Sequence, residues 1–73
     1  MKYTVIIEEG RESGYVAYVP ALKGCVSQGI TREEALKNIR EAMEAYVEAL
    51  LEDGLPVPTE VGKDTVELEV AAK

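Results

Sequence analysis

The stretch LKGCVSQGITREEALKNIREA, residues 22–42, contains Cys25, the single cysteine of a 73-residue chain that has no histidine. A cysteine reacts as its thiolate, and a thiol near its ordinary pKa needs a base or a cationic neighbour to form one. The chain lacks the usual base, because it has no histidine. The sequence therefore favours a packing role for Cys25, as a small and soft side chain beside Gly24.

Carboxylates are the other residues that could do chemistry. A metal-dependent nuclease would need several of them to converge on divalent ions, because those ions carry the phosphoryl-transfer step. The first apolar run offers only Glu8, at its end, and Glu67 and Glu69 alternate with the apolar residues near the C-terminus. Bringing these groups to one site with Glu34 would require an unusual arrangement. We therefore expect no catalytic residues, no metal and no cofactor.

Charge and size restrict the partners that the chain can have. Fourteen acidic and eight basic residues give a net charge of −6, which disfavours binding to a nucleic-acid backbone. The length predicts one domain, residues 1–73, near the size at which a single core supplies only a few kcal/mol. One cysteine cannot form an internal disulfide, and the lack of histidine argues against structural zinc. We therefore expect a partner protein or self-association to add stability.

The N-terminal sequence MKYTVIIEEG carries one lysine and an apolar run too short for a signal peptide. No segment reaches the length of apolar sequence that spans a membrane. These two features predict a cytoplasmic protein without a membrane interaction.

The hydrophobic pattern changes along the chain from a period of two to a period near 3.6 and back. Residues 3–7 are largely β-branched and end at the polar EEGRESG, which predicts a strand and a hairpin connection. Residues 15–19, closed by Pro20, predict a second strand, and residues 25–28 predict a third. Short connections between them indicate an antiparallel sheet.

A helix is predicted over about 32–53, where apolar residues recur at helical spacing. Thr31 has the features of an N-cap, and Glu34 three residues later completes a capping box that satisfies two backbone N–H groups. Gly54 and Pro56 then mark the end of the helix.

Residues 65–70 alternate between apolar residues and glutamates, which predicts a strand with one buried face. The predicted order is therefore β-β-β-α-β, an α+β fold with one helix packed on one face of the sheet. The long connection through the helix indicates that the last strand lies parallel to another, and we place it beside the first.

A single helix covers one face of a sheet, yet the first two strands carry apolar residues on both faces. The second face therefore predicts a protein interface. Tyrosines combine a large apolar body with a polar tip, and proline and polar residues follow near the sheet edge. The predicted partner-binding residues are Tyr15, Tyr18, Pro20, Ser27 and Gln28.

The sequence also resembles a known family. YTVIIEE followed by GYVAYVPALKGCVSQGITREEALKNIREAMEAYVEALLEDGLPVP is similar to the HicB family of toxin–antitoxin antitoxins over nearly the whole chain. The most specific part is an ordered series of residues at fixed spacing: Gly14, Tyr15, Pro20, Leu22, Gly24, Cys25, Gly29, Thr31, Glu34 and Ala35. Six of these form the predicted structural motif: Gly14, Gly24, Cys25, Gly29, Thr31 and Glu34.

This resemblance implies a truncated ribonuclease H-like fold, usually without catalysis, that binds and masks the small ribonuclease toxin HicA. Many members add a C-terminal DNA-binding module, which we do not expect here because the sequence stops at Lys73. Two alternatives stay open: an orphan homo-oligomeric adaptor without a toxin, as a dimer or tetramer, and a metal-dependent ribonuclease H-like nuclease.

Glutamates line the helix opposite its apolar stripe, and several stand four residues apart, a mildly repulsive spacing. A solvated helix face accounts for this pattern. The same pattern would also suit a basic partner, such as an RNA-cleaving toxin, through attraction that salt weakens. The glutamates are Glu34, Glu41, Glu44, Glu48 and Glu52.

Overall fold

A computed structural model describes residues 2–60 and 66–71. Three strands, β1 (Ile6–Glu9), β2 (Tyr15–Tyr18) and β3 (Val26–Gly29), precede one helix, α1 (Arg32–Glu52). The strands form an antiparallel sheet in the order β1-β2-β3. This arrangement confirms the predicted α+β class and the β-β-β-α part of the element order.

The pairing register decides which side chains share a face. Ala17 pairs with Ile7 on β1 and with Ser27 on β3, and Tyr18 pairs with Ile6 and Val26. Since neighbours along a strand point to opposite faces, these two sets lie on opposite sides of the sheet. The Ala17 set faces α1, because Ala17 is completely buried in the core that α1 shares.

The core lies between this face and the inner stripe of α1. Cys25 belongs to it and is 4% exposed. Larger, partly buried side chains from β1, β2 and α1 pack around its edge. The central cluster consists of Ala17, Val19, Leu22, Cys25, Ala35 and Ile39.

The helix begins as predicted. The side-chain Oγ1 of Thr31 accepts a hydrogen bond from the backbone N–H of Glu34 at 3.1 Å. The Glu34 carboxylate in turn accepts from the backbone N–H of Ile30 at 3.3 Å, one residue before the expected donor. Two backbone donors are therefore satisfied reciprocally, in a slightly shifted version of the capping box.

The helix ends in a Schellman motif around Gly54, which has a positive φ of 67°. The N–H of Gly54 donates to the Leu51 carbonyl at 3.1 Å, and the N–H of Leu55 donates to the Leu50 carbonyl at 2.9 Å. Glycine adopts this left-handed backbone without the steric cost of a side chain. The chain therefore reverses here and returns toward the sheet.

The returning segment meets the residues that precede β1. The hydroxyl of Tyr3 donates to the Pro58 carbonyl. Glu60 accepts from the backbone N–H of Thr4 and, at 3.1 Å, from its hydroxyl. These contacts bring residues about 55 positions apart in sequence together at the start of β1.

The predicted fourth strand does not form in the part that the structure describes. Residues 66–71 have no regular secondary structure and are exposed, and Thr65 lies outside the described residues. A strand needs hydrogen-bonding partners beside it, and an alternating sequence does not by itself supply them. The placement beside β1 was therefore wrong for this structure, and the ribonuclease H-like assignment, which depends on that strand, stays a prediction.

Two of the motif glycines are required because neighbouring backbone atoms lie too close to leave room for a side chain. A Cβ on Gly29 would lie 2.5 Å from the backbone nitrogen of Ala35, and one on Gly14 would lie 2.7 Å from the Gly29 carbonyl oxygen. Gly14 also has a positive φ of 77°, whereas Gly24 has a positive φ of 82° with open space around it. The predicted structural roles of these glycines therefore have distinct causes.

Candidate functional site

The five predicted partner-binding residues do not form one surface. Tyr18 and Gln28 lie on the open face of the sheet, away from α1, as the register shows. Tyr15 and Ser27 lie on the helix side, where Tyr15 packs against the core. Pro20 is exposed in the connection after β2. The sequence predicted an interface on the uncovered face but assigned two residues to it that face α1.

The open face carries an apolar cluster that we call the open-face patch: Ile6, Val16, Tyr18 and Val26. Three of these side chains are partly exposed, and Val26 is 58% exposed. The Tyr18 hydroxyl donates to a Glu8 carboxylate oxygen at 3.5 Å, so one end of the patch is polar. An apolar centre with a polar margin is the usual composition of a protein interface.

A second surface, not among the predicted site residues, consists of two apolar pockets between α1 and the residues that precede β1. One part encloses about 360 Å³ and is lined by Tyr3 and the C-terminal half of α1. A second part of about 360 Å³ lies between Val5 and the N-terminal half of α1. We call the two together the β1 groove. Its apolar lining residues with exposed surface are Tyr3, Val5, Leu36, Met43, Val47 and Leu51, and the second part also touches Ile39 of the buried core.

Helical periodicity contained the signal for this groove. Leu36, Met43, Val47 and Leu51 follow one another at intervals of seven, four and four residues, which places them on one stripe of a helix. A core-facing stripe containing Ala35 and Ile39 runs beside it. The apolar surface of α1 is therefore wider than one three-stranded sheet covers.

The two edges of the sheet differ. Along an antiparallel strand, every second residue forms backbone hydrogen bonds with the paired strand. The backbone N–H and C=O groups of the residues between them point away from that strand. The bond from the Gly10 N–H to the Gly14 carbonyl sets this alternation for β1, so Ile7 and Glu9 point outward. Within residues 2–60 and 66–71, no hydrogen bond meets these outward groups.

On β3, the bond from the Val19 N–H to the Cys25 carbonyl sets the alternation, so Gln28 points outward. The side-chain Nδ2 of Asn38 donates to the Gln28 carbonyl at 2.7 Å. The helix therefore blocks part of the β3 edge, whereas no described residue bonds to the outward groups of β1.

A polar cavity of about 660 Å³ lies between the β1–β2 hairpin and the start of α1. Its lining includes Arg11, Glu34 and Asn38. Glu34 and Asn38 already bond to backbone groups of the fold. This cavity is therefore accounted for by the helix cap and the β3 edge.

The outer face of α1 is acidic and solvated. Glu41, Glu44, Glu48 and Glu52 are exposed. Only Glu44 among them has an ion pair in the described part of the chain, with Arg40 at 3.6 Å. An exposed pair of this kind contributes little to stability. The face presents net negative charge to a partner.

Cys25 has no catalytic environment. Its thiol is buried in the core, and this burial raises its pKa, so the neutral form dominates near neutral pH. A raised pKa is the opposite of what a cysteine nucleophile requires. The packing role that the sequence favoured agrees with this position.

The described residues contain no group of three or more His, Cys, Asp or Glu side chains close enough to hold a metal ion. Among the same residues, no helix combines the length and apolar character needed to cross a membrane.

Comparison with known proteins identifies relatives of the whole chain. A family model described as a HicB-like antitoxin of bacterial toxin–antitoxin systems matches residues 3–71. UPF0150 protein ssr1765 of Synechocystis is 53% identical over 58 residues, covering 80% of this chain and 73% of that protein. A UPF0150 protein of Helicobacter pylori is 45% identical and is covered to 97%, as is this chain.

Two further relatives, one longer and one of solved structure, have names that refer to toxin–antitoxin systems. Antitoxin HicB 1 of Photorhabdus laumondii is 39% identical over the full length of this chain, which spans half of that protein. A chain in a solved structure named HicA3 and HicB3 toxin-antitoxin complex shares 34% identity and superposes with a TM-score of 0.66. That superposition covers 81% of this chain and 67% of the other.

Proposed function

Because the chain belongs to the HicB-like antitoxin family, we propose that it binds a small HicA-type ribonuclease toxin and masks it without catalysis of its own. The observation that carries this proposal is the structural match to a chain of a HicA3–HicB3 complex at 34% identity. At that identity the shared fold is accompanied by a shared family, which favours a partner of the same type.

The open-face patch is the surface that we assign to the toxin. Its apolar residues, Ile6, Val16, Tyr18 and Val26, form one face that no element of the described chain covers. Burying such a patch against a partner is favourable, and a central tyrosine is a common energetic centre of an interface. Gln28 extends the patch on β3. The binding roles predicted for Tyr15, Pro20 and Ser27 are proposed only as contributions at its margin.

Charge supports a basic partner. The chain has a net charge of −6, and the exposed glutamates of α1 add a field that attracts a positively charged protein. A protein that cleaves RNA needs basic residues to contact phosphates. The same negative charge disfavours direct binding of nucleic acid by this chain. Since the toxin's RNA substrate lies in the cytoplasm, we place the complex there.

The test uses a HicA-type ribonuclease toxin, produced with its catalytic activity intact; a reading frame for a small basic protein beside this chain's gene is the first choice of toxin. Wild-type protein is expected to inhibit RNA cleavage at a stoichiometric ratio. Val26→Asp puts a charge into the open-face patch and is expected to weaken inhibition at least about tenfold, because the charge must be desolvated on binding.

Leu55→Asp is the matched control, since Leu55 is 51% exposed, close to the 58% of Val26, and lies outside the patch. It is expected to inhibit like wild type. Circular dichroism confirms that both variants are folded. Lack of inhibition by the wild-type protein would contradict the proposed function. Equal inhibition by both variants would mean that the toxin binds elsewhere, which would contradict the assigned surface.

An orphan adaptor without a toxin is the second candidate. It is favoured by the short relatives, such as the Helicobacter pylori protein that this chain covers to 97%, whose name assigns no toxin. In that case the protein would act as a homo-oligomer. Purification from its native cytosol would then recover only copies of itself, whereas an antitoxin is expected to recover a small basic protein.

A further inference from the structure

We propose that Glu8, Val16, Tyr18 and Gln28 form a receptor for one arginine side chain of the toxin, here called the arginine site. In this arrangement the guanidinium group bonds to the Glu8 carboxylate and to the side-chain carbonyl of Gln28, and it lies against the ring of Tyr18. The inference rests on the proposed function and adds to it the kind of partner side chain that the open face recognises.

The pairing register brings these four side chains together on the open face. Glu8 pairs with Val16 on β2, and Val16 pairs with Gln28 on β3, so the three residues form one row across the sheet. Tyr18, two residues from Val16 on the same strand, points to the same face. Paired residues have Cα atoms about 4.5–5.5 Å apart, so about 10 Å separates the Cα atoms of Glu8 and Gln28. The row therefore has a carboxylate at one end, an amide at the other and an apolar floor between them.

Glu8 brings an unpaired charge into this row. It is exposed, and the only ion pair in the described part of the chain joins Arg40 and Glu44. Among the same residues, its carboxylate accepts one hydrogen bond, from the Tyr18 hydroxyl at 3.5 Å, which is long and therefore weak. A carboxylate has room for about four such bonds, so most of its acceptor capacity is left for a partner.

Binding at the open-face patch makes a counter-charge necessary. A toxin that buries Val16 and Tyr18 also removes water from Glu8, which lies beside both. Burying a carboxylate without a cation is strongly unfavourable, whereas a charge-assisted pair offsets the lost water. The partner surface that covers this row must therefore supply a cation opposite Glu8.

The other members of the row favour arginine over lysine as that cation. A guanidinium group is planar and has five N–H donors, so it bonds to the Glu8 carboxylate with two of them and keeps others for the Gln28 carbonyl. Its plane stacks on an aromatic ring such as Tyr18, and its aliphatic stem packs on an apolar side chain such as Val16. Lysine carries a compact, strongly hydrated charge that gains less from such a row.

Gln28 is available for this role. Its backbone carbonyl accepts a hydrogen bond from Asn38 at 2.7 Å, which ties this position of β3 to α1. Its side chain is exposed and bonds to no other described residue. The backbone is therefore held in place while the side-chain amide faces a partner.

Charge complementarity identifies the toxin as the source of the arginine. A protein that cleaves RNA needs basic side chains, arginine among them, to contact phosphates. This chain has fourteen acidic and eight basic residues, so its field attracts such a protein. A guanidinium group that fits a phosphate also fits a carboxylate, because both accept two parallel N–H bonds.

The first experiment measures the Kd for the HicA-type toxin by titration calorimetry without RNA. Glu8→Gln keeps the shape of the side chain, removes its charge and is expected to raise the Kd at least about tenfold. Glu9→Gln is the matched control, because Glu9 is also exposed, carries the same charge and points to the opposite face of the sheet. It is expected to raise the Kd less than about twofold.

These two variants separate the inference from the proposed function. A wild-type protein that does not bind the toxin would contradict the proposed function, and the arginine site with it. Tight binding by wild type together with equal Kd values for Glu8→Gln and Glu9→Gln would overturn the arginine site alone. Both glutamates are exposed, so urea denaturation is expected to give the same stability for the two variants.

The second experiment identifies the arginine on the toxin. Each arginine of the toxin is replaced in turn by lysine, which keeps the positive charge and lacks the planar group. One replacement is expected to weaken binding to the wild-type chain at least about fivefold and to have little further effect on Glu8→Gln, because the contact is already lost there. If no replacement is coupled to Glu8 in this way, the partner side chain is not an arginine and the inference fails.

The third experiment tests the ring of Tyr18. Tyr18→Phe keeps the aromatic face and loses the hydroxyl, whereas Tyr18→Leu keeps apolar bulk and loses the face. The leucine variant is expected to have a Kd at least about threefold above that of the phenylalanine variant, because a cation gains from the ring. Circular dichroism checks that both are folded, and equal Kd values for the two folded variants would overturn the proposed arrangement of the site.

Discussion

The two sides of this small sheet differ in how far other parts of the chain cover them. On the β2–β3 side, α1 buries Ala17 and Ile39 and contributes Asn38 to the outer edge of β3. On the β1 side, no described residue bonds to the outward strand groups, two apolar pockets lie beside the start of the strand, and Val66, Leu68 and Val70 are exposed. Within the described residues, one side is therefore covered and the other leaves apolar surface exposed.

This difference shows how a short chain divides its residues between stability and binding. Seven buried apolar residues form the core among the residues that the structure describes, which gives a chain of this size little stability in reserve. The apolar residues of the open-face patch and of the segment 66–71 do not stabilise the isolated chain. Changes on the packed side should therefore affect folding, and changes on the open side should affect association.

The sharpest contrast compares two apolar residues of α1. Ile39→Ala is expected to lower the free energy of unfolding by about 3 kcal/mol, because Ile39 is 1% exposed and the deletion leaves a cavity. Leu51→Ala, at a 60% exposed position, is expected to cost less than about 0.5 kcal/mol when measured on the monomer. Urea denaturation at low protein concentration measures both. Similar losses would mean that the two sides are not different.

The next contrast compares two glycines. Gly29→Ala is expected to cost about 2–3 kcal/mol, because the new Cβ would lie 2.5 Å from the Ala35 backbone nitrogen and push β3 away from α1. Gly24→Ala meets open space and is expected to cost about 1 kcal/mol through its positive φ alone. Thermal unfolding of both variants gives the order, and a larger loss at Gly24 would refute the close-approach account.

A smaller effect is expected at the helix start. Thr31→Ala removes the oxygen that accepts the Glu34 N–H, which is expected to cost about 1 kcal/mol. Thr59→Ala, at an exposed position outside the helix, is the control and is expected to change stability little. Chemical denaturation compares the two. Toxin inhibition is expected to survive in the Thr31 variant, since the cap lies away from the open-face patch.

The smallest effect concerns Cys25 and depends on pH. Its folded pKa lies above the ordinary value of 9.0 because of burial. The unfolded chain therefore loses this proton first, and the stability that the neutral thiol provides is present below pH 9 and declines as the pH rises through that value. Wild type is expected to lose more stability than Cys25→Ala as the pH rises from about 8 to about 10, as chemical denaturation at each pH measures.

At neutral pH, Cys25→Ala should leave toxin inhibition nearly intact, and the wild-type thiol should react slowly with alkylating reagents until the chain unfolds. Rapid alkylation of the folded protein, or a loss of inhibition much larger than the loss of stability, would contradict the packing role.

Local signals in the sequence predicted the helix well. Its start at Arg32 and its end at Glu52 follow from a capping threonine and a glycine with left-handed backbone, which are properties of the residues themselves. The first three strands were predicted within a few residues, although β1 extends to Glu9, beyond the β-branched run, because pairing with Tyr15 continues there. The backbone pairing, and not the residue types, sets that boundary.

The fourth strand and the binding face show what the sequence did not determine. The alternation of residues 65–70 predicts a face that could be buried. Which strand pairs with this segment depends on the rest of the structure and not on the segment itself. The sequence also did not show which face of β2 is buried, because Val16 and Tyr18 are as apolar as Tyr15 and Ala17. Only the pairing with β1 and the helix showed that Tyr15 points inward.

The Asn38 hydrogen bond to β3 has a consequence for polymer growth. A sheet protein with two open edges can add copies at both and extend into a fibre, which is the hazard of exposed strands. Here growth on one edge would have to break the 2.7 Å bond from Asn38 to the Gln28 carbonyl. One side-chain amide therefore favours assemblies that close over those that propagate, and its loss would favour filaments.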